Sequence, residues 1–96
     1  MAAYVFGIRN QLSDEASFNR YVEAATPTLE GTGVRNLALY GRFRVLEGGA
    51  AEGAFVLEFL TYEAAEAWFD SSDYQEAMTI RRGAADYRIV LVEGCS

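Results

Sequence analysis

The sequence predicts an α+β domain in which two helices cover one face of a four-stranded antiparallel sheet. Three observations lead to this fold class. Apolar runs typical of strands occur near both ends of the chain and twice in its middle. Two stretches with apolar residues at helical spacing divide these strands into the order β-α-β-β-α-β. The length of 96 residues, of which 51% are hydrophobic, predicts one globular domain over residues 1–96.

The first strand is predicted over residues 3–9, where successive side chains alternate between two faces. One face carries Tyr4, Phe6 and Ile8, and the other carries Val5, Gly7 and Arg9. A helix follows, with Ser13 expected as its N-cap and Pro27 expected to kink it or end its regular part. Its apolar stripe consists of Phe18, Tyr21, Val22, Ala25 and Leu29. Gly31 and Gly33 fit the positions that close such a segment.

The second strand is predicted to be long, covering residues 36–47 with a bend at Gly41. This prediction depends on parity, because apolar residues occupy odd positions and polar ones occupy even positions on both sides of the glycine. The odd positions are Leu37, Leu39, Phe43 and Val45, and the even ones are Tyr40, Arg42 and Arg44. A loop containing three glycines follows at residues 48–53.

The second half predicts two more strands and a broken helix. The third strand, residues 54–60, is apolar on both faces except at Glu58, and the last strand covers residues 86–93. Between them, Thr61 is expected to cap a helix that Asp70-Ser71-Ser72 interrupts. Ser72 and Gln75 have capping-box spacing, which predicts a second helical segment. The complete order is the ferredoxin-like split βαβ pattern.

The composition excludes several classes of function. The chain has 14 acidic residues against 8 basic ones, a formal net charge of −6, and no histidine. A surface of this sign repels a phosphate backbone, so no nucleic-acid partner is expected. Without histidine, and with Cys95 as the only cysteine, no metal site and no histidine-based catalysis is expected. We interpret Cys95 as an incidental thiol.

The sequence also predicts where the protein is found. No apolar run reaches the length of a membrane span, and no leader-like segment precedes the first strand. One cysteine cannot form an internal disulfide. We therefore expect a cytoplasmic protein without a membrane partner and without a cofactor.

Both faces of the predicted sheet are apolar, which indicates a partner. Strand 54–60 places Phe55, Leu57 and Phe59 on one face and Ala54, Val56 and Leu60 on the other. Helices cover only one face, and an exposed apolar face of this size is unusual in a monomer. We therefore predict a homodimer in which two sheets pack face to face, with higher assembly also open.

Several motifs resemble one bacterial family across about residues 4–94. They are Gly33-Val34-Arg35, Leu46-Glu47-Gly48, Glu58-Phe59 and, most specific of all, the block from Trp68 to Arg81. The sequence is similar to the family called domain of unknown function 1330 (DUF1330). The resemblance implies a ferredoxin-like fold in the dimeric α/β-barrel superfamily, and it implies no established reaction. That superfamily includes cofactor-independent monooxygenases and ring isomerases.

Two charged residues are the leading candidates for chemistry. Glu58 lies in an otherwise apolar, central strand, so it is a candidate general base or ligand anchor, or else the structural partner of an arginine. Arg81 lies on the helical stripe seven residues after Tyr74, and is a candidate anion clamp. The alternative for Arg81 is an ion pair with Glu58, Glu47 or an acidic residue of a partner chain.

Four further residues complete the predicted site. Tyr74 is a candidate for orienting a ligand and Trp68 for walling a cavity, with core packing as the alternative for both. Arg35 is a candidate for the mouth of a pocket, or else it lies on the solvated face of an edge strand. Glu47 is a candidate ligand contact, with a structural bond to an arginine as the alternative.

These residues predict that a small anionic or aromatic molecule binds between the sheet and the helices. The hypothesis extends to a cofactor-independent reaction resembling that of an isomerase or a monooxygenase. The alternative is a non-catalytic binding or assembly protein whose charged residues are structural.

Overall fold

The computed structural model describes residues 1–95 and confirms the predicted ferredoxin-like βαββαβ architecture. Its strands are β1 (Ala3–Leu12), β2 (Arg35–Leu39), β3 (Gly53–Phe59) and β4 (Ala85–Glu93). Its α-helices are α1 (Glu15–Ala25), α2 (Tyr62–Asp70) and α3 (Ser72–Arg82), and a short 3-10 helix covers Thr26–Leu29. The sheet has the order β2-β3-β1-β4, and each neighbouring pair is antiparallel.

The covered face of the sheet packs against the helices and forms the core. Phe59 has no exposed surface and its ring centre lies 5.3 Å from that of Trp68 in α2. The Trp68 ring in turn lies 4.3 Å from that of Tyr74 in α3, which is 1% exposed. Both halves of the broken helix thus contribute to one aromatic core, and truncating such a residue costs about 3–5 kcal/mol.

Glycine is required at one position of this face. Gly7 of β1 lies opposite Phe55 of β3, and the Phe55 ring occupies the space that a β-carbon on Gly7 would need. Any other residue here would force the ring out of its place in the sheet.

The other face of the sheet, here called the open face, has no helix over it. Its residues come from the alternate positions of the strands: Tyr4, Phe6, Ile8, Ala54, Val56, Glu58, Arg88, Val90 and Val92. In the central row, Phe6 lies opposite both Val56 and Val90. Val90 is 38% exposed and Val92 is 47% exposed. The structure therefore bears out the prediction that both faces are apolar.

The predicted second strand is too long. β2 ends at Leu39, because Tyr40 adopts a left-handed conformation with φ of 53°. The Tyr40 amide makes a last bond to the Ala54 carbonyl (2.8 Å), and its ring then turns toward the helices. The segment that follows, residues 40–52, is irregular and passes beside Ile8 at the end of the open face. Apolar alternation there reflects a need for burial and not an extended backbone.

Two of the predicted helix caps lie one residue away from their expected positions. Asp14, not Ser13, caps α1 by accepting a hydrogen bond from the Ser17 amide (3.1 Å), while the Ser13 hydroxyl donates to the Ala84 carbonyl (3.0 Å). Ser71, not Ser72, caps α3 by accepting from the Tyr74 amide (3.2 Å). In both cases the cap is the residue whose backbone is extended just before the first turn.

The other helix boundaries agree with the sequence. Thr61 caps α2 by accepting from the Ala64 amide (3.0 Å). The regular part of α1 ends at Ala25, and Pro27 lies in the first turn of the 3-10 helix, where its missing N–H costs nothing. The end of α1 and the 3-10 helix both line a space between the helices and the sheet.

Candidate functional site

A cavity of about 310 Å³ lies between α1 and the covered face of the sheet. Most of its wall is apolar or aromatic. The aromatic side chains that line it are Phe18, Tyr21, Tyr40, Phe55, Trp68 and Tyr74. This volume is at the lower end of the range for small-molecule sites, and apolar walls with a few polar groups are typical of such sites.

Two tyrosine hydroxyls meet in the wall that α1 and α3 form. The hydroxyl oxygens of Tyr21 and Tyr74 lie 3.0 Å apart. Burial, and next the neighbouring Tyr74 hydroxyl, raises the pKa of Tyr21 above its ordinary value. Beside this pair, the Trp68 indole N–H donates to the Thr28 hydroxyl (2.9 Å), which fixes the indole ring against Tyr74.

A second pair of tyrosine hydroxyls lies where β2 ends. The hydroxyl oxygens of Tyr40 and Tyr87 are 2.6 Å apart. Burial, and next the hydrogen bond to Tyr87, raises the pKa of Tyr40. Burial also raises the pKa of Tyr87, although its bond to Tyr40 and the charges of Arg9 and Arg81 oppose the shift. With their pKa values raised, Tyr21, Tyr40 and Tyr87 keep their protons, and a phenol hydroxyl donates as well as accepts hydrogen bonds.

Two guanidinium groups lie against these aromatic rings. The Arg81 guanidinium carbon is 5.7 Å from the centre of the Tyr21 ring and 5.2 Å from that of Tyr87. Arg9 approaches the rings of Phe18 (5.3 Å) and Tyr40 (5.1 Å) in the same way. Aromatic faces attract cations at such distances, so the rings hold both charges in place.

The Arg81 side chain is buried without a carboxylate. Arg81 is 7% exposed, and its Nε atom has no hydrogen-bond partner among residues 1–95. In that part of the chain no carboxylate oxygen lies within 4.0 Å of its nitrogens, since the ion pairs there are Arg9–Glu52 and Arg35–Glu58. A buried and unpaired guanidinium is costly, and such groups are commonly found at ligand sites.

A sequence model of the family described as domain of unknown function (DUF1330) matches residues 2–95 of this chain. The chain belongs to the DUF1330 family. No curated protein matches it. The family match confirms the resemblance stated from the motifs and covers nearly all of the sequence.

Solved structures similar to this DUF1330 chain share its fold. A protein of unknown function from Rhodopseudomonas palustris has a TM-score of 0.74 and 16% identity, over 99% of this chain and 83% of its own. A dimeric ferredoxin-like protein of unknown function from Jannaschia sp. CCS1 has a TM-score of 0.67 and 16% identity, over 98% and 100%. A third, also described as dimeric and ferredoxin-like, comes from Thermobifida fusca and has a TM-score of 0.66 and 17% identity, over 98% and 92%. At such identities the likeness concerns the fold alone.

Two of the residues predicted for the site of this DUF1330 protein line the cavity, and a third lies behind its wall. Trp68 and Tyr74 form part of its wall, and Arg81 lies against Tyr21, which also lines it. Both ring residues are core residues, which agrees with the packing alternative, and their contact with a ligand stays a prediction.

The other three predicted residues lie elsewhere in the DUF1330 fold. Glu58 lies on the open face, where its carboxylate accepts a hydrogen bond from Nη1 of Arg35 (3.1 Å). Its side chain is 21% exposed and that of Arg35 is 72% exposed, so Glu58 is only partly enclosed by this chain. Glu47 lies in segment 40–52, beside a surface cavity that Phe43 and Ile8 also line. Glu58 and Arg81 thus lie on opposite faces and do not share a cavity.

The sequence analysis missed Arg9, Tyr40 and Tyr87 as site residues. A signal existed for Arg9 and Tyr87, because both are polar residues on the strand face that packs under the helices. None existed for Tyr40, whose position depends on the left-handed backbone at the end of β2. Within residues 1–95 the DUF1330 chain has no cluster of side chains placed to hold a metal ion, and none of its helices there has the length and apolarity of a membrane span.

Proposed function

We propose that this DUF1330 protein binds a small aromatic or anionic molecule in the cavity between α1 and the sheet. The observation that carries the proposal is the buried Arg81, which has no carboxylate partner within residues 1–95 and lies beside two hydroxyl pairs at an apolar cavity. The aromatic wall suits a flat apolar body, and the hydroxyls and the guanidinium suit a polar substituent. Of the predicted residues, Trp68 and Tyr74 would contact this molecule, and Arg81 would act from behind the Tyr21 ring.

The proposal includes a homodimer formed through the open face. Phe6, Val56 and Val90 make a continuous apolar row across three strands of this face. The structures from Jannaschia and Thermobifida are described as dimeric proteins of the same fold. An apolar face that no helix covers is stabilised when a second copy buries it.

A reaction of the isomerase or monooxygenase kind, without a cofactor, is the extension of this proposal. Hydroxyl donors in the cavity wall and the Arg81 charge behind that wall are available to stabilise negative charge on a bound molecule. The Glu58 carboxylate faces the other side of the sheet. Its proposed role as a general base therefore concerns the open face and stays a prediction.

One observation favours the alternative of an assembly role for part of the site. Arg35 and Glu58 form an ion pair at the edge of the open face, where a second copy would pack. There the pair would help to set the register of two sheets, and any contact of Arg35 or Glu58 with a ligand would be secondary.

The cavity can be tested with a cavity-filling variant, using the only tryptophan as the probe. Trp68 lines the cavity, so a ligand bound there is expected to change its fluorescence and to raise the melting temperature. Phenol, benzamide and benzoate are suitable probes. Ala25→Leu places three more carbons in the cavity and is expected to abolish binding, while Ala16→Leu on the exposed side of α1 leaves binding unchanged.

The fluorescence titration has two decisive outcomes. Saturable binding that Ala25→Leu removes and Ala16→Leu retains supports the cavity as the site. Binding that survives Ala25→Leu in a folded protein, or no binding of any of the three probes, contradicts the proposal.

A further inference from the structure

We infer that the Tyr40 hydroxyl marks the polar end of this cavity, that Arg9 and Arg81, which flank the Tyr40–Tyr87 hydroxyl pair behind the cavity wall, make this end an anion site, and that the ligand is an aromatic monocarboxylate. The inference rests on the proposed function and adds to it a second arginine and one class of ligand. Arg9 had no place in the predicted site. Its role follows from the donors that the fold brings together and from the charge that they leave unbalanced.

The first argument concerns hydrogen-bond donors. The Nε atoms of Arg9 and Arg81 are both buried, and neither has an acceptor among residues 1–95. Tyr40 and Tyr87 have two hydroxyl protons, and their mutual hydrogen bond uses only one of them. The two Nε donors lack an acceptor, although buried polar groups are nearly always paired, and the more exposed hydroxyl pair keeps one donor free. A ligand oxygen would accept from the free hydroxyl, while the two guanidinium groups supply positive charge beside it.

The second argument concerns position. The Arg9 guanidinium lies 5.1 Å from the centre of the Tyr40 ring, and that of Arg81 lies 5.2 Å from the centre of the Tyr87 ring. The two rings are joined through hydroxyl oxygens 2.6 Å apart, so the two arginines flank one hydroxyl pair. The positive charges of both act on both hydroxyls. Of these four residues Tyr40 lines the apolar cavity, so its side chain is the one that faces the ligand space.

The third argument concerns charge. Among residues 1–95, the carboxylate within 4.0 Å of these two guanidinium groups is Glu52, whose Oε1 lies 3.9 Å from the Arg9 Nε and accepts a hydrogen bond from the Leu12 amide at 2.7 Å. This one carboxylate offsets one of the two guanidinium charges, which leaves about one positive charge at the site. A single negative charge on the ligand balances it. In a chain with a net charge of −6, a local positive site attracts an anionic ligand that the rest of the surface repels.

Comparing each carboxylate with its amide distinguishes this inference from the broader proposal, because a carboxylate and its amide are similar in size but differ in charge. The probes are benzoate with benzamide and phenylacetate with phenylacetamide, measured by calorimetry and by Trp68 fluorescence. A charged hydrogen bond contributes more than a neutral one, so each carboxylate is expected to bind at least about tenfold more tightly than its amide.

Two variants and a matched control assign this preference to the arginines. Arg9→Gln and Arg81→Gln each remove one charge and are expected to reduce the ratio of carboxylate to amide affinity to near one, with amide affinity nearly unchanged. Arg82→Gln changes the exposed neighbour of Arg81 and is expected to keep the full ratio. If Arg81→Gln does not fold, Arg81→Lys retains the charge and is expected to keep the ratio, while the partly exposed Arg9 still gives an independent test.

Each outcome has one meaning. Equal affinity of carboxylate and amide for the wild type overturns the anion site but leaves the cavity proposal intact. A ratio that Arg9→Gln does not change overturns the role of Arg9. Absence of binding for both members of each pair overturns the inference and the proposed function together.

Discussion

Arg81 shows how one residue can serve the fold and a site at the same time. Its aliphatic part packs on the α3 stripe with Tyr74, Ala77 and Met78, which are all buried. Its charged end reaches Tyr21 and Tyr87 and finds no carboxylate within residues 1–95. A purely structural arginine would be stabilised by an acidic partner, and the chain has 14 acidic residues from which to supply one. That none is placed there favours a ligand.

The hydroxyl pair of Tyr21 and Tyr74 makes a stability prediction. Tyr74→Phe is expected to lower the free energy of unfolding by about 1 kcal/mol, because it leaves the partly buried Tyr21 hydroxyl without its partner. Tyr21→Phe is expected to do the same. The double variant is expected to cost less than the sum, since one hydrogen bond is lost in both cases. Urea unfolding of the four proteins measures this, and strict additivity would show that the hydroxyls do not interact.

At the residue scale, the sequence predicted only part of the site, and the reason is geometric. Tyr74 and Arg81 lie seven residues apart on α3, so helical periodicity alone places them on one face, and Trp68 lies in the preceding helix α2. Arg9, Tyr40 and Tyr87 come from three different strand ends and meet only through sheet pairing. Glu58 lies on the predicted strand and pairs with an arginine, as the structural alternative expected. That arginine is Arg35, and alternation along the strand places Glu58 on the face opposite the cavity.

At the scale of elements, the break between α2 and α3 is decided by one of two adjacent serines. Ser71 accepts from the Tyr74 amide and donates to the Trp68 carbonyl (2.7 Å), so it ends one helix and begins the next. Ser71→Ala is therefore expected to cost about 1 kcal/mol of unfolding free energy, as loss of an N-cap does. Ser72→Ala is the matched control and is expected to change the stability by less than about 0.5 kcal/mol, because Ser72 is exposed.

Chemical denaturation of the two alanine variants compares them directly. Equal losses would contradict the assignment of the cap to Ser71. A larger loss for Ser72→Ala would support the predicted capping box of Ser72 and Gln75. In the structure the Gln75 side chain instead donates to the Phe69 carbonyl (2.6 Å).

The predicted second strand was too long for a reason that belongs to the same scale. Apolar alternation over residues 36–47 indicates which side chains need burial, but the backbone is extended as β2 only as far as Leu39. Beyond Tyr40, the apolar side chains of Phe43, Val45 and Leu46 stay 43%, 39% and 78% exposed in this chain. Their burial requires a surface that the chain itself does not provide.

For the molecule as a whole, these exposed side chains and the open face point to the same partner. Segment 40–52 passes beside Ile8 and Ala54, at the end of the apolar row of the open face. One second copy of the chain would cover both surfaces, whereas a small ligand would cover neither. The cavity on the covered face would remain available in such a dimer, since its wall comes from the opposite side of the sheet.

The proposed homodimer gives a prediction for the whole molecule. Light scattering coupled to gel filtration at micromolar concentration is expected to give twice the chain mass of 10.6 kDa. Val90→Arg places a charge at the β4 end of the apolar row on the open face and is expected to shift the mass to that of the monomer, because burying an unpaired charge is strongly unfavourable. Thr79→Arg changes a branched residue of similar size on the exposed side of α3 and is expected to leave the dimer intact. A monomeric wild type, or a dimer that Val90→Arg does not weaken, would show that the open face is not the interface.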